Sequence, residues 1–277
     1  MPILYTSQSH SEASENKMSQ KFVQYSIDSG VATITLNRPD TLNAMNNDLM
    51  NRISDCMNQV VEDKQIRVVV ITGAGRGFCA GADLSNVATD DKQDNNSMDD
   101  VYNPVLRAIY DSPVPTVARV NGPAAGGGMG LALACDIVIA AKSAFFVATF
   151  GPRLGIVPDL GSTWTLPRGV GRSRALAAAM LGDRISAEKA EAWGLIWRSV
   201  PDNELDTEVD QLTSRLKVSS SEAMVRIRQS IDAAHHNSFS DQLDLEMLHQ
   251  GVLIPRNMQE GAAAFMEKRE PAFKARD

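Results

Sequence analysis

The sequence has no apolar run that approaches the ~20 residues a bilayer-spanning helix needs, which excludes such a span from its 277 residues. It has no block of Lys and Arg either. With 34 acidic against 27 basic residues the formal net charge is -7, so neither a nucleic-acid surface nor an anionic-membrane surface is expected. Cysteine is scarce, and Cys56, Cys79 and Cys135 are odd in number and without disulfide or ligand spacing. They read as reduced thiols, small core residues of a cytoplasmic protein. The four histidines, His10, His235, His236 and His249, lack partners at zinc-binding spacing, so no metal is expected. The opening stretch "MPILYTSQSHSEASENKMSQ" has neither the basic start nor the apolar run of a secretory signal and reads as a disordered arm over 1–20. No internal repeat of fixed period is visible.

What is present suits one large globular domain, alone or with an appendage: 43% of residues are hydrophobic and 22% charged. Strands are expected at 22–28 and 31–37, joined at Ser29-Gly30 as a tight hairpin. A helix over 47–62 follows, with Leu49, Ile53, Met57, Val60 and Val61 on one face, and then "IRVVVITG" as a fully buried strand. This strand-strand-helix-strand unit has a second round in "VPTVARVNG", a glycine-rich stretch with its helix, and "DIVIAA". Between the rounds, "TDDKQDNNSMDD" (89–100) is acidic and nearly free of apolar residues, as a surface loop would be. Beyond Asp202 the pattern is helical only, at 205–216, 221–234, 239–252 and 257–269. The chain therefore divides into an α/β core over 21–204 and a helical region over 205–277.

Two loops are rich in glycine, "GAGRGFCAGADL" (73–84) and "VNGPAAGGGMGLALACD" (120–136). Neither is a Walker loop, because Gly-Lys-Ser/Thr is missing, and in neither does the third glycine of a dinucleotide fingerprint fall in place. Both follow a strand and present bare amide groups, and the second opens a helix, where dipole and unsatisfied donors suit an anion or a developing oxyanion. Close packing of strand on helix is the plainer account of the same glycines.

Four stretches, "GRGFCAGADL", "NGPAAGGGMGLALACDIVIAAKSAFF", "LGIVPDLGSTWTLPRGVGRSRALAAAMLGDRISAEKAEAWGLI" and "EGAAAFMEKREPAFK", together resemble the crotonase family, the enoyl-CoA hydratases and isomerases. The resemblance runs from Phe22 to Lys274 in the family's order and spacing. It implies an α/β spiral of strand-strand-helix turns with a C-terminal helical trimerisation region, assembled as a homo-trimer or a dimer of trimers. It also implies an acyl-CoA thioester as substrate, with no cofactor beyond the coenzyme A that the substrate carries. The matched positions put the oxyanion hole at the backbone N–H groups of Ala82 and Gly127. They put Asn43, Ala44, Ala80, Asp83 and Leu84 along the CoA path, and Arg38, Phe273 and Lys274 near the adenosine phosphates. Each of those charged residues, taken alone, reads more readily as a solvated surface group.

The reaction turns on carboxylates. Hydratases of the family carry one glutamate at the place of Gly130 and a second within the segment "SAFFVATFGPRL" (143–154). That segment has one residue more than the usual spacing, which leaves the match between Phe150 and Gly151, and it holds no carboxylate. Asp159, just after Pro158 at the start of an expected helix, is the remaining candidate. Its plain reading is an N-terminal cap facing Ser162 or Thr163. In the resemblance, Δ3,Δ2-enoyl-CoA isomerases place a carboxylate at or near this match, and ring-1,2-epoxyphenylacetyl-CoA isomerases an aspartate. The expectation is an isomerase that uses one carboxylate and an oxyanion hole. Hydration, and dehalogenation of the 4-halobenzoyl-CoA type, are the alternatives within the family. Dehalogenases have a tryptophan near the place of Phe150. A non-catalytic acyl-CoA-binding subunit is the alternative outside enzymology.

Overall fold

A computed structural model describes residues 22–86 and 98–276 of the chain. The expected arm over 1–20, and the part of the expected loop at 89–97, lie outside the described residues. Met98, Asp99 and Asp100 open a π-helical turn, Met98–Tyr102, so that end of the stretch is helical rather than loop.

The chain starts as an antiparallel pair, β1 (Val23–Asp28) and β2 (Val31–Leu36), turned at Ser29 and Gly30, both at positive φ. A helix, α1 (Asn47–Glu62), crosses back to β3 (Val68–Gly73), which pairs parallel to β2. Asn46 caps α1 by accepting the N–H of Leu49 at 3.0 Å. The buried face of α1 is Leu49, Met50, Ile53, Cys56, Met57 and Val60, whereas Val61, expected inside, is exposed. Val61 lies in the last turn of the helix, which Asp63 caps.

Every residue of β3 is buried, the pattern of a central parallel strand covered on both faces, while β2 alternates. The rest of the chain alternates between two sheets. After α2 (Asn103–Tyr110), β4 (Thr116–Val120) enters the larger sheet and β5 (Ala124–Ala125) a smaller one. Helix α3 (Gly127–Leu133) then leads to β6 (Ile137–Ala141) of the larger sheet, and β7 (Phe145–Val147) returns to the smaller. A π turn, Phe150–Leu154, precedes the long α4 (Ser162–Leu181). Last come β8 (Ile185–Ser186), α5 (Ala187–Trp193) and β9 (Arg198–Val200), which makes a third round of the spiral. The larger sheet runs β1-β2-β3-β4-β6-β9 and the smaller β5-β7-β8. The cysteines are all buried and unpaired.

Helix α6 (Leu205–Lys217) buries Leu205, Val209 and Leu212 against the core. Helices α7 (Ser221–Ala233) and α8 (Phe239–Glu267) bury few residues of their own and leave Ile231, Met247, Leu248 and Met258 exposed. The two helices expected at 239–252 and 257–269 are one helix of 29 residues with Pro255 inside. Proline removes only its own N–H donation and crowds the carbonyl four residues back, that of Gly251, and the helix continues through both. No described helix is long and apolar enough to cross a membrane.

Helix α7 is tied to the sheets by ions. Asp136 accepts from the Thr116 N–H at 2.8 Å and hydroxyl at 3.1 Å, and from Arg228 Nη1 at 3.1 Å. Burial pushes the Asp136 carboxyl up, against the pull of Arg228 and Thr116. Arg228→Ala leaves that carboxylate buried without its cation, and we expect a loss of about 2–3 kcal/mol in unfolding free energy, read as a lower urea midpoint at unchanged m-value.

Candidate active site

The two glycine-rich loops meet. Ala125 N–H donates to Cys79 O at 2.9 Å, and Phe78 and Cys79 both donate to Pro123 O at 3.1 Å. A Cβ at Gly128 would stand 2.2 Å from Cys79 O, so only glycine permits this approach. A Cβ at Gly81 would lie 3.4 Å from the Gly127 nitrogen, which shows how near the loops come at the cavity.

The first loop is fixed from behind by residues 38–45. Asn43, fully buried and left-handed at φ 59°, donates through Nδ2 to Ala74 O (3.0 Å) and Gly77 O (2.8 Å), and its Oδ1 accepts from Arg38 N–H (2.8 Å). The Arg38 guanidinium donates to Ala44 O and forms an ion pair with Asp83 at 2.7 Å. Asp83 also accepts from the Ser85 hydroxyl (2.7 Å) and N–H (3.1 Å), and Ser85 and Arg38 together hold its carboxyl below the ordinary aspartate value. Met45 pairs with the loop as a short parallel bridge, donating to Gly81 O at 2.7 Å and accepting from Asp83 N–H at 2.8 Å. The N–H of Ala82, between those two bonds, donates to no acceptor among the described residues. Nor does the N–H of Gly127, the first residue of α3 and one of the donors a helix start leaves over.

Both amides line a cavity of about 420 Å³. Its other walls include Met45, Tyr102, Phe150, Ile156 and Leu160, with Asp83 and Asp159 as its carboxylates. Asp83 is spoken for by Arg38 and Ser85. Asp159 is half-buried, burial pushes its carboxyl up, and apart from its own N–H it has no hydrogen-bond partner among the described residues.

The reading of Asp159 as a helix cap needs correction. Helix α4 begins at Ser162, and its N-cap is Gly161, with no side-chain cap. Asp159 contributes its carbonyl, which accepts from Ser162 N–H at 2.9 Å and closes a turn through Leu160 (φ 48°) and Gly161 (φ 76°). Two successive left-handed residues turn the chain before the helix starts, which leaves the Asp159 carboxylate out of the capping.

The same turn fills the space beside Gly130, the position that the resemblance matches to the first hydratase glutamate. A Cβ on Gly130 would stand 2.6 Å from Leu160 O and 3.1 Å from the Ser162 hydroxyl, itself buried and without a hydrogen-bond partner among the described residues. Of the two neighbours between which the resemblance leaves the second glutamate, Phe150 lines the cavity and Gly151 is exposed. The segment ends in a π turn, Phe150–Leu154, which closes one residue later than an α turn.

Of the remaining expected binding residues, Ala80, Asp83 and Leu84 line the cavity. Asn43, Ala44 and Arg38 stand behind the loop as its supports. Phe273 and Lys274 are not brought to this cavity within the chain. The Phe273 ring faces Gly261 of α8, and Lys274 O accepts from Arg67 at 3.1 Å. Met45, Tyr102, Thr149 and Leu160 line the cavity without having been singled out from the sequence. Tyr102 is placed by the π turn ahead of α2, which leaves no mark in the periodicity of apolar residues.

The family model for enoyl-CoA hydratase/isomerase matches residues 26–276. The chain belongs to this family. It is 42% identical over 258 residues to the 1,2-epoxyphenylacetyl-CoA isomerase of Escherichia coli K12, across 91% of this chain and 98% of that protein. It is 40% identical over 260 residues to a "probable enoyl-CoA hydratase" of Rhodobacter capsulatus, across 94% and 100%. Among solved structures, the enoyl-CoA hydratase of Bacillus anthracis superposes with a TM-score of 0.86 at 31% identity, across 92% of this chain and all of that one. The enzyme family and the crotonase fold agree with the resemblance read from the motifs.

Two substitutions test this geometry. Gly130→Ala should cost about 1–3 kcal/mol of stability, because the added methyl meets Leu160 backbone rather than a movable side chain; thermal unfolding measures it. Arg38→Ala should lower kcat/KM for an acyl-CoA at least tenfold, because Asp83 and Ala44 lose the guanidinium that joins them, and Arg38→Lys should restore only part of it.

Proposed function

We propose that this family member is an acyl-CoA isomerase in which Asp159 moves the proton and the amides of Ala82 and Gly127 form the oxyanion hole. The observation that carries the reading is the carboxylate inventory of the cavity: Asp159 has no ion-pair partner among the described residues, and the places of both hydratase glutamates are an occupied Gly130 and an apolar Phe150. Syn hydration requires a water to be held and deprotonated while a second proton is delivered, a task for two groups. Isomerisation requires one. Asp159 takes a proton from the carbon next to the thioester, the electron pair passes into the carbonyl oxygen, and the two amides stabilise the enolate. The carboxylic acid so formed returns the proton two carbons along as the double bond settles beside the thioester. Burial helps twice, since it makes the carboxylate a stronger base and strengthens the two hydrogen bonds to the oxyanion.

The name of the E. coli relative supports the isomerase class and suggests an epoxide of a ring acyl group as one substrate to try. The hydratase name of the R. capsulatus relative makes hydration the competing outcome. The exposed apolar side chains of α7 and α8, among them Ile231, Met247 and Leu248, support a homo-trimer or dimer of trimers, in which Phe273 and Lys274 would meet the CoA of a neighbouring copy.

Incubation with matched 2-enoyl- and 3-enoyl-CoA, followed by the absorbance of the conjugated thioester, tests the class: isomerisation should outrun hydration, and the reverse order overturns the proposal. Asp159→Asn should lower kcat by about 10²–10⁴. It should also raise Tm at neutral pH. The folded state binds the Asp159 proton more tightly than the unfolded chain does, so its stability falls as pH rises between the two pKa values, and the amide removes that cost. For the wild type, kcat/KM should fall on acidification through a pKa above the ordinary 3.8, the limb an ionised base requires. Gly127→Pro, which lacks the N–H, should lose about 3 kcal/mol of transition-state stabilisation, read from kcat/KM.

A further inference from the structure

The two free amides belong to loops from different rounds of the spiral, and one buried residue touches both. Met45 pairs with Ala82 as a parallel bridge. Its N–H donates to Gly81 O at 2.7 Å and its carbonyl accepts from Asp83 N–H at 2.8 Å, one bond on each side of the Ala82 amide. Its side chain reaches the other amide, since the terminal methyl lies 2.6 Å from where a Cβ on Gly127 would stand. Whatever fixes Met45 therefore fixes the spacing of the two donors.

The residues before Met45 are gripped from behind, Asn43 through its own side chain and Ala44 O by the Arg38 guanidinium. Met45 O has a further donor, the Tyr102 hydroxyl, at 3.3 Å. Tyr102 ends the π turn Met98–Tyr102, and α2 behind it sinks Val105, Leu106 and Ile109 into the core, so the buried ring stands on a firm base. Tyr102 and Met45 both line the cavity. Burial pushes the Tyr102 phenol up, and Asp83, Cys79 and Asp159 add to the effect, so the hydroxyl keeps its proton and remains a donor.

We infer that Tyr102 is a positioning residue, whose hydroxyl holds Met45 O and through it the distance between the Ala82 and Gly127 amides. This rests on the oxyanion-hole reading above and adds a residue to it. Oxyanion donors act within about 2.7–3.1 Å of the place where charge develops, so a small drift of one loop weakens polarisation of the carbonyl without expelling the substrate. Ground-state affinity draws on the whole length of an acyl-CoA and depends on that distance far less. The bond at 3.3 Å is long for O–H···O, and bonds of this kind tighten when the reacting state forms. Tyr102 thus acts on kcat more than on binding.

The test uses Tyr102→Phe, which keeps the ring and removes the donor. For a four-carbon 3-enoyl-CoA, kcat should fall at least tenfold, while the affinity for saturated butanoyl-CoA, measured by calorimetry, stays within twofold. The carbonyl NMR signal of bound butanoyl-CoA, isotope-labelled at that carbon, moves downfield as its oxygen is polarised, and the variant should lose at least a third of the displacement seen on wild type. An unchanged displacement, or kcat within twofold of wild type, overturns the role. So does a variant that lowers Tm, affinity and turnover alike while the bound carbonyl signal stays in place, since that is a loss of packing alone. Should Tyr102→Phe not fold, as judged by circular dichroism, Tyr102→Leu gives the same carbonyl reading of the missing donor. A wild-type signal that does not move on binding overturns the oxyanion hole and Tyr102 with it. A displacement that Tyr102→Phe diminishes, without isomerisation by either protein, supports Tyr102 and overturns the isomerase reading alone.

Discussion

The site depends on two stretches of backbone meeting with no side chain between them. Cys79 O against Gly128, and Ala125 N–H on Cys79 O, hold the end of one loop against the start of α3 at a distance no Cβ tolerates. That contact turns two amides, which belong to different rounds of the spiral, into neighbours. Hydrogen-bond donors fixed in this way need no reorganisation when charge develops on a thioester oxygen, which is where preorganised sites gain over water. The supports behind the first loop serve the same end. Asn43 and Arg38 use every polar atom described above to hold carbonyls and a carboxylate in place, rather than to meet a ligand.

A single turn sets the carboxylate side of the cavity. Residues 159–161 close on the Ser162 N–H, and in doing so they present Asp159 to the cavity, lay Leu160 over Gly127 and occupy the space beside Gly130. One backbone conformation therefore supplies a carboxylate and removes the room for another. This explains why Gly130 is glycine for a different reason from Gly128: the first makes way for the turn, the second for the opposite loop.

The periodicity of apolar residues made the first two rounds legible, since α1, β3 and β4 bury long runs or clean faces. The third round was not, because β7, β8 and β9 have two or three residues each and carry too little pattern. The break expected near Pro255 reflects a local propensity that the surrounding helix overrides. At the site, the motif glycines and Asp159 stood out, whereas Tyr102 and Leu160 did not. Their positions come from a π turn and a pair of left-handed residues, and neither has a compositional mark beyond one glycine. Arg38 shows the limit of reading charge without geometry. Its guanidinium is engaged by Asp83 and Ala44, inside the protein's own framework.

The order of strands in the larger sheet has a kinetic consequence. Only β1 and β2 are joined by a tight turn; each later strand of that sheet pairs parallel to one that lies a crossover away in the chain. Pairings of that kind close long loops before any contact repays the lost entropy, so they form late on the folding path. The loop after β3 cannot meet the start of α3 until β4 has found β3, and the 159–162 turn cannot cover Gly130 until α3 is in place. The active site is therefore among the last parts of the molecule to assemble. A partly folded chain has a hairpin and a helix before it has anywhere to hold a thioester.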